Sequence, residues 1–158
     1  MRQETLLFVL DRANGKLLLA MKKVRFGAGK YNGTGGHVEE GETPVAAAVR
    51  ETFEEAGVTV LPEHAEPRGA IHFSFEGKPD WERLVHVFLA EKWAGEPVES
   101  DEMVPEWFAL DAIPYDRMWI DDKHWLPLVL EGKAIDAEFH FEGDGSAILR
   151  QRVDYDKN

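Results

Sequence analysis

Three carboxylates, Glu51, Glu54 and Glu55, set the first constraint on this chain. Their offsets of i, i+3 and i+4 stack them on one side of a helix. The flanks specify that helix: Thr43 is an N-cap residue, Pro44 suits the first helical position, and Gly57 lies just past the last turn. On it Val45, Val49, Phe53 and Ala56 form an apolar arc, with the three glutamates on the opposite side. The spacing predicts a helix that packs by one face and turns an acidic face outward. Glutamate is a good helix former and Arg50 can pair with Glu54, so a solvated face accounts for the pattern as well as a cation does. Glu39, Glu40 and Glu42 precede the helix, and the Gly35-Gly36 pair can bring a backbone carbonyl close. Carboxylate and carbonyl oxygens are the hard donors that Mg²⁺ and Mn²⁺ prefer.

The rest of the chain supplies a sheet. Nearly continuous apolar runs over 4–12 and 16–23 predict two strands joined at Asn14-Gly15 and buried on both faces. Gly27, Gly29, Gly33, Gly35 and Gly36 crowd the next loop, where backbone must pass close to something or adopt positive φ. Strands at 69–76 and 83–91 follow, the first with Phe73 and Phe75 on one face and His72 and Ser74 on the other. A short strand at 106–110 and a second helix near 123–131, stopped by Gly132, come next. A hairpin turning at Gly143-Asp144-Gly145 closes the chain. The order predicts one α/β domain, 1–158, around a mixed sheet, and the length suits a single core.

Composition removes several function classes. There is no cysteine, hence no disulfide, thiolate site or thiol nucleophile, which fits a reducing compartment. A net charge of −12 argues against broad binding to nucleic acid or anionic membranes. A small anionic substrate stays open if a metal or a local Lys/Arg cluster inverts the sign. The N-terminal apolar run, Leu6 to Leu10, falls far short of the ~18 residues of a span, so a soluble, cytoplasmic protein is expected. The six histidines show no zinc spacing, and neither a phosphate-binding G-x-x-x-x-G-K-[ST] loop nor a G-x-S-x-G elbow occurs.

The spacing around the acidic helix is more specific. Gly36, five residues, Glu42, seven residues, then Arg50-Glu51-Thr52-Phe53-Glu54-Glu55-Ala56-Gly57-Val58 resembles the Nudix box, G-x5-E-x7-R-E-U-x-E-E-x-G-U, with U a bulky aliphatic. Thr52, at the first aliphatic position, is the one departure. Outside the box, Met21–Lys23, Phe26–Gly29, Asn32-Gly33, Pro97–Met103 and Met118–Trp125 extend the resemblance to one branch, the oxidised purine nucleoside triphosphatases (8-oxo-dGTP diphosphatases). In that branch Tyr31 and Thr34 stand where bulkier aromatics are usual, His37 replaces a lysine, and Ile120 replaces a proline.

The resemblance implies a Nudix-type α/β/α sandwich with a central mixed β-sheet. It also implies Mg²⁺-dependent (or Mn²⁺-dependent) hydrolysis of an oxidised purine triphosphate to the monophosphate and pyrophosphate. It assigns Glu51, Glu54, Glu55 and Glu102, with the Gly35 backbone, to the metal, and gives Arg50 the task of holding the glutamates. Asn32, Asp121 and Asp122 match residues that hydrogen-bond the purine edge, and Trp119 the aromatic that stacks on it. Thr5, Lys22, Phe26, Phe73 and Phe75 line the same pocket, with Gly36 beside them. Read without the resemblance, Asp121 and Asp122 suit N-capping of the second helix, the aromatics suit a core, and Lys22 suits a solvated strand end. The expected partner is a small nucleotide and the expected state a monomer. A different diphosphate substrate (normal dNTPs, a dinucleoside polyphosphate or ADP-ribose), or a non-catalytic nucleotide-binding module, remains the alternative at this point.

Overall fold

The apolar runs become the middle of one sheet with a helix on each side. The computed structural model describes residues 1–156. In chain order its elements are β1 (Arg2–Asp11), β2 (Lys16–Lys22), β3 (Tyr31–Asn32), α1 (Pro44–Ala56), β4 (Glu66–Phe75), β5 (Arg83–Ala90), β6 (Met103–Ala109), α2 (Asp122–Leu130), β7 (Ile135–Phe141) and β8 (Ile148–Tyr155). The sheet runs β3-β2-β1-β5-β4-β7-β8, with β6 on β2. The β1/β5 and β4/β7 pairs are parallel and the others antiparallel, so the sheet is mixed. Because β1 and β2 are central, their side chains find a core on both faces. Leu7 and Val9 pack under α1 with Ala48, Ala56 and Val58. Phe8 and Leu10 pack under α2 with Trp125, Leu126 and Val129.

One irregularity positions the site. β1 pairs with β2 only through Val9–Leu18, Leu10–Leu17 and Asp11–Lys16. Farther along, β2 pairs with β3 at Ala20–Asn32 and Met21–Tyr31, while β1 bridges to Thr34 and His37. The segment 31–37 is therefore wedged between β1 and β2 where they part, and the glycine loop that leads into it stands over the opening. The predicted Asn-Gly hairpin closes as a four-residue loop: Gly15 takes φ +64°, and the Asp11 carboxylate accepts hydrogen bonds from the backbone and side chain of Asn14. β4 and β6 each start three residues earlier than the sequence suggests, β4 because a bulge between Pro67 and Ala70 absorbs the proline.

The caps of α1 are as expected: Thr43 Oγ1 accepts from the Ala46 N–H at 3.2 Å, and Gly57 takes φ +71°. Its packing face is so only in part: Ala56 is buried and Val45 and Val49 pack on the same core, but Phe53 does not. Phe53 is 59 % exposed and Glu55 only 6 % exposed, so the buried stripe runs through Ala48, Thr52, Glu55 and Ala56. At about 100° per residue, this stripe is rotated by roughly 60° from the apolar arc that includes Phe53. The cause is Thr52. Its hydroxyl lies 2.8 Å from the Ala48 carbonyl and 2.7 Å from Thr34 Oγ1, and Thr34 Oγ1 donates to the Leu7 carbonyl at 3.2 Å. Two departures from the family pattern, Thr34 and Thr52, thus meet as a buried polar pair.

Two hydroxyl protons serve these three contacts, so losing one partner leaves a buried oxygen under-satisfied. Thr34→Val and Thr52→Val are each expected to cost about 1–2 kcal/mol, whereas the double variant costs less than their sum. Urea titration of the four proteins reads the coupling. Strict additivity would mean that the hydroxyls act independently.

Candidate active site

Glu55 is buried because Gly35 lets two segments of backbone nearly touch. A Cβ at Gly35 would lie 1.8 Å from the Thr5 carbonyl oxygen, so only glycine fits, and its N–H donates to Glu55 Oε1 at 2.8 Å. Burial pushes the Glu55 carboxyl up to about 8. The Gly35 hydrogen bond opposes that shift, and the charges of Glu51 and Glu102 add to it. Burial also raises Glu51, against the pull of Arg50. Gly36 makes room for that second carboxylate, since a Cβ there would lie 2.7 Å from Glu51 Cδ.

Arg50 organises the acids from the side. Its Nη1 donates to Glu51 at 2.8 Å and to Glu54 at 3.2 Å, its Nε to Glu42 at 2.9 Å, and its Nη2 to the His37 carbonyl at 3.1 Å. Glu102, before β6, is held by Arg25 Nη1 at 2.9 Å. Arg25 is also the one non-glycine residue at positive φ among the described residues. With Glu51 and Glu54 on Arg50, Glu55 on the Gly35 N–H and Glu102 on Arg25, no three acidic or histidine side chains among the described residues converge as a finished metal cage. The donor chemistry fits a hard divalent cation all the same: four carboxylates line one cleft, and burial, with repulsion between them added, raises two.

The far end of the same cleft is aromatic. Phe26 stands 5.0 Å from Trp119, ring centre to ring centre, and Phe73 stacks near Phe139 and Phe141. Asp121 and Asp122 lie at its floor, each 2 % exposed. Capping does not explain them, because the Asp121 side chain makes no cap hydrogen bond to α2 and instead accepts from Trp125 Nε1 at 2.8 Å. Asp122 Oδ2 is buried without a partner. Burial raises both carboxyls. The Trp125 N–H favours charge on Asp121, while Asp121's own charge raises Asp122 further, so the pair keeps a proton on Asp122.

These two ends form one cleft of about 780 Å³. Every residue nominated from the sequence lines it except Arg50, which stands behind the glutamates. Asn32 turns its Oδ1 to the Gly33 N–H at 2.8 Å, and Thr5 exchanges hydrogen bonds with the Gly36 backbone. Lys22 sits close enough to Glu55 to favour its charged form.

Sequence reasoning missed Glu4, Lys30, Trp81 and Arg83, which also line the cleft. Two of them were legible by period two. Glu4 is in phase with Leu6 and Phe8, and Arg83 with Val85 and Val87, so each puts a charge on a core-facing row. They meet there, with Arg83 Nη1 3.4 Å from both Glu4 oxygens. No periodicity marks Lys30 or Trp81, which come from a loop and a turn.

The NUDIX domain family model matches residues 1–129. The chain is 46 % identical over 149 residues to an oxidized purine nucleoside triphosphate hydrolase of Danio rerio, covering 94 % of this chain and 93 % of the relative. It is 45 % identical over 148 residues to the protein of the same name in Mus musculus, covering 94 % and 91 %. A crystal structure of the mutator MutT protein from Bacillus halodurans superposes with a TM-score of 0.85 at 29 % identity, covering 98 % of both chains. The box on α1, the mixed sheet between two helices and a match over most of the length agree, and the chain belongs to the Nudix family.

Proposed function

We propose that this protein is a Mg²⁺-dependent hydrolase of oxidised purine nucleoside triphosphates such as 8-oxo-dGTP, releasing the monophosphate and pyrophosphate. The observation that carries the reading is the buried Asp121–Asp122 pair, with its unpartnered oxygen, in the same cleft as the acidic helix. A carboxylate beside a protonated carboxyl offers one acceptor and one donor. An 8-oxo purine carries a proton on N7, where an ordinary purine has a lone pair, and its O6 still accepts. Asp121 suits the N–H and Asp122 the oxygen. Relatives named for that substrate, at 45–46 % identity over nearly their whole length, support the same assignment.

Glu51, Glu54, Glu55, Glu102 and the Gly35 carbonyl are the groups that would hold the metal, with Mn²⁺ as an alternative. Bound there, a divalent ion neutralises phosphate charge and lowers the pKa of a coordinated water. Arg50 keeps Glu51 and Glu54 in place through its fork of N–H groups. One of Glu54, Glu55 or Glu102 orients the attacking water and takes its proton. The water oxygen bonds to phosphorus as the α–β anhydride bond breaks, so the products are a nucleoside monophosphate and pyrophosphate. Asn32, Trp119 and the aspartate pair hold the base meanwhile. Such an activity clears damaged nucleotides from the cytoplasmic pool before they reach DNA.

A substrate panel tests this reading. Formation of the nucleoside monophosphate is followed by chromatography for 8-oxo-dGTP, dGTP, dATP, a dinucleoside polyphosphate and ADP-ribose, with Mg²⁺ and with chelator. The highest kcat/KM is expected for 8-oxo-dGTP, with background rates in chelator. ADP-ribose or a dinucleoside polyphosphate ranking first would overturn the substrate assignment.

A further inference from the structure

We infer that β8 is an association surface for a second copy of this chain, pairing antiparallel with its own counterpart about Val153. The strand has β7 on one side and, among the described residues, no strand on the other. Its register with β7 fixes which backbone groups are left over. The Asp156 N–H donates to the Ala134 carbonyl at 3.1 Å, so Arg150, Arg152 and Asp154, in phase with it, bond to β7. Gln151, Val153 and Tyr155 therefore turn their N–H and C=O groups outward. An edge of this kind accepts another strand unless something blunts it. The opposite edge strand, β6, is blunted. Leu110 N–H donates to the Gly15 carbonyl on the β2 side, so Pro105, out of phase with it, faces outward and has no N–H to give. In β8 there is no proline, and the bulge falls before Arg150.

The side chains choose the partner. Arg150-Gln151-Arg152-Val153-Asp154-Tyr155-Asp156 places two cations before Val153 and two anions after it, at mirrored positions. An antiparallel copy centred on Val153 sets Arg152 opposite the partner's Asp154 and Arg150 opposite the partner's Asp156, each pair occurring twice by symmetry. The backbone accepts the same register, because outward residue meets outward residue: Val153 faces Val153, and Gln151 faces Tyr155. Sliding the copy two residues either way sets Arg152 against itself or Asp154 against itself, and like charges directly opposite repel. The charged face is already lined up, since Arg152 holds Asp154 at 2.5 Å and reaches Asp136 of β7 at 3.4 Å. On the other face Tyr155 is exposed and supplies apolar area for a partner to cover. The monomer expected from the sequence then becomes the dilute form.

Sedimentation velocity from about 5 to about 500 μM tests this, a range in which small interfaces associate. The mass of the native protein is expected to climb from 17.9 kDa toward twice that value. Arg152→Asp and Asp154→Arg should each weaken association about ten-fold or more. An equimolar mixture of the two should restore it, since each variant supplies the charge that the other lacks. Thermal melts establish that both are folded, as expected where exposed ion pairs contribute little to stability. Hydrogen exchange reads the register with no substitution at all. The amides of Gln151, Val153 and Tyr155 should exchange about five-fold slower or more as concentration rises, while β7 protects those of Arg150, Arg152 and Asp154 throughout. No β8 residue lines the cleft, so both variants should hydrolyse at the native rate and the proposed function is judged separately. A monomer mass at every concentration would overturn the inference. So would folded variants that associate as well alone as the native chain does, a mixture no better associated than either variant, or outward amides indifferent to concentration.

Discussion

Glu55→Gln is expected to abolish hydrolysis and, in the same protein, to raise the melting temperature of the metal-free fold above pH 7. Both effects come from one fact, the burial that pushes the Glu55 carboxyl up to about 8. A carboxyl raised in the folded state binds more protons there than in the unfolded chain between about 4.5 and about 8. Stability is therefore intact below the unfolded pKa and is lost progressively as pH climbs through that window. A shift of this size corresponds to at most about 5 kcal/mol, and water entry and local relaxation leave about 1–3 kcal/mol as a working figure. Glutamine keeps an oxygen for the Gly35 N–H and carries no charge, so it escapes the penalty. For a domain of this length the variant should melt several degrees higher at pH 8, at about 2–4 °C per kcal/mol, and no higher at pH 5. Differential scanning fluorimetry in chelator at pH 5, 6, 7 and 8 provides the comparison.

Catalysis moves the other way, because glutamine offers a metal no charge. The kcat should fall by about a hundred-fold or more in Glu55→Gln, and Glu54→Gln with Glu55→Gln should leave only background hydrolysis. Adding Mg²⁺ at pH 8 should stabilise the native protein more than the variant, since binding to the folded state alone adds stability. If the double variant hydrolyses at the native rate, α1 is not the catalytic element. If Glu55→Gln melts lower at pH 8, the buried carboxylate is not a liability in the metal-free protein. The geometry thus assigns a stability cost to a residue proposed for function, as expected where a site holds unpaired charge out of water.

How much of this was legible in the sequence depended on whether a residue's role was local. The caps of α1 were, because Thr43, Pro44 and Gly57 act within one turn of themselves. The strand order around β1 was legible only as a mixed sheet, since the parting of β1 from β2 is a register decision made by the distant segment 31–37. The packing face of α1 was legible at Val45, Val49 and Ala56 and missed at Thr52 and Phe53 for a tertiary reason. Thr52 looks outward by polarity and points inward because Thr34, eighteen positions earlier in the chain, supplies a partner. Helical spacing put Glu55 on the acidic face with Glu51 and Glu54 and gave no sign of its burial, which a glycine twenty residues away brings about. Asp121 and Asp122 illustrate the converse. Spacing at a helix start suited capping, and only the distance to Trp125 Nε1 showed that Asp121 is committed elsewhere.

Asp121→Asn and Asp122→Asn should differ sharply, although the residues are adjacent and equally buried. The Trp125 N–H holds Asp121 toward its charged form, and Asp121's charge pushes Asp122 toward its protonated form. Asparagine at 122 copies a protonated carboxyl, one donor and one acceptor without charge, so kcat/KM for 8-oxo-dGTP should fall less than about ten-fold. Asparagine at 121 must still accept from Trp125 with its oxygen, which turns its NH₂ toward the purine N–H. Two donors then face each other in a dry pocket, and the loss should be about a hundred-fold. The pH profile carries the sign. Both carboxyls are raised by burial, so KM should rise on the acid side as Asp121 takes up a proton and loses its acceptor, at a pH above the ordinary carboxylate range. On the alkaline side KM should rise as Asp122 gives up its proton and ceases to donate. Because the two titrate as a pair, the limbs belong to the pair, but only Asp122→Asn should flatten the alkaline one. KM measured across pH for the native protein and both variants decides the matter. Equal losses in the two variants, or an alkaline limb that survives Asp122→Asn, would put the proton elsewhere and remove the basis for base recognition argued here.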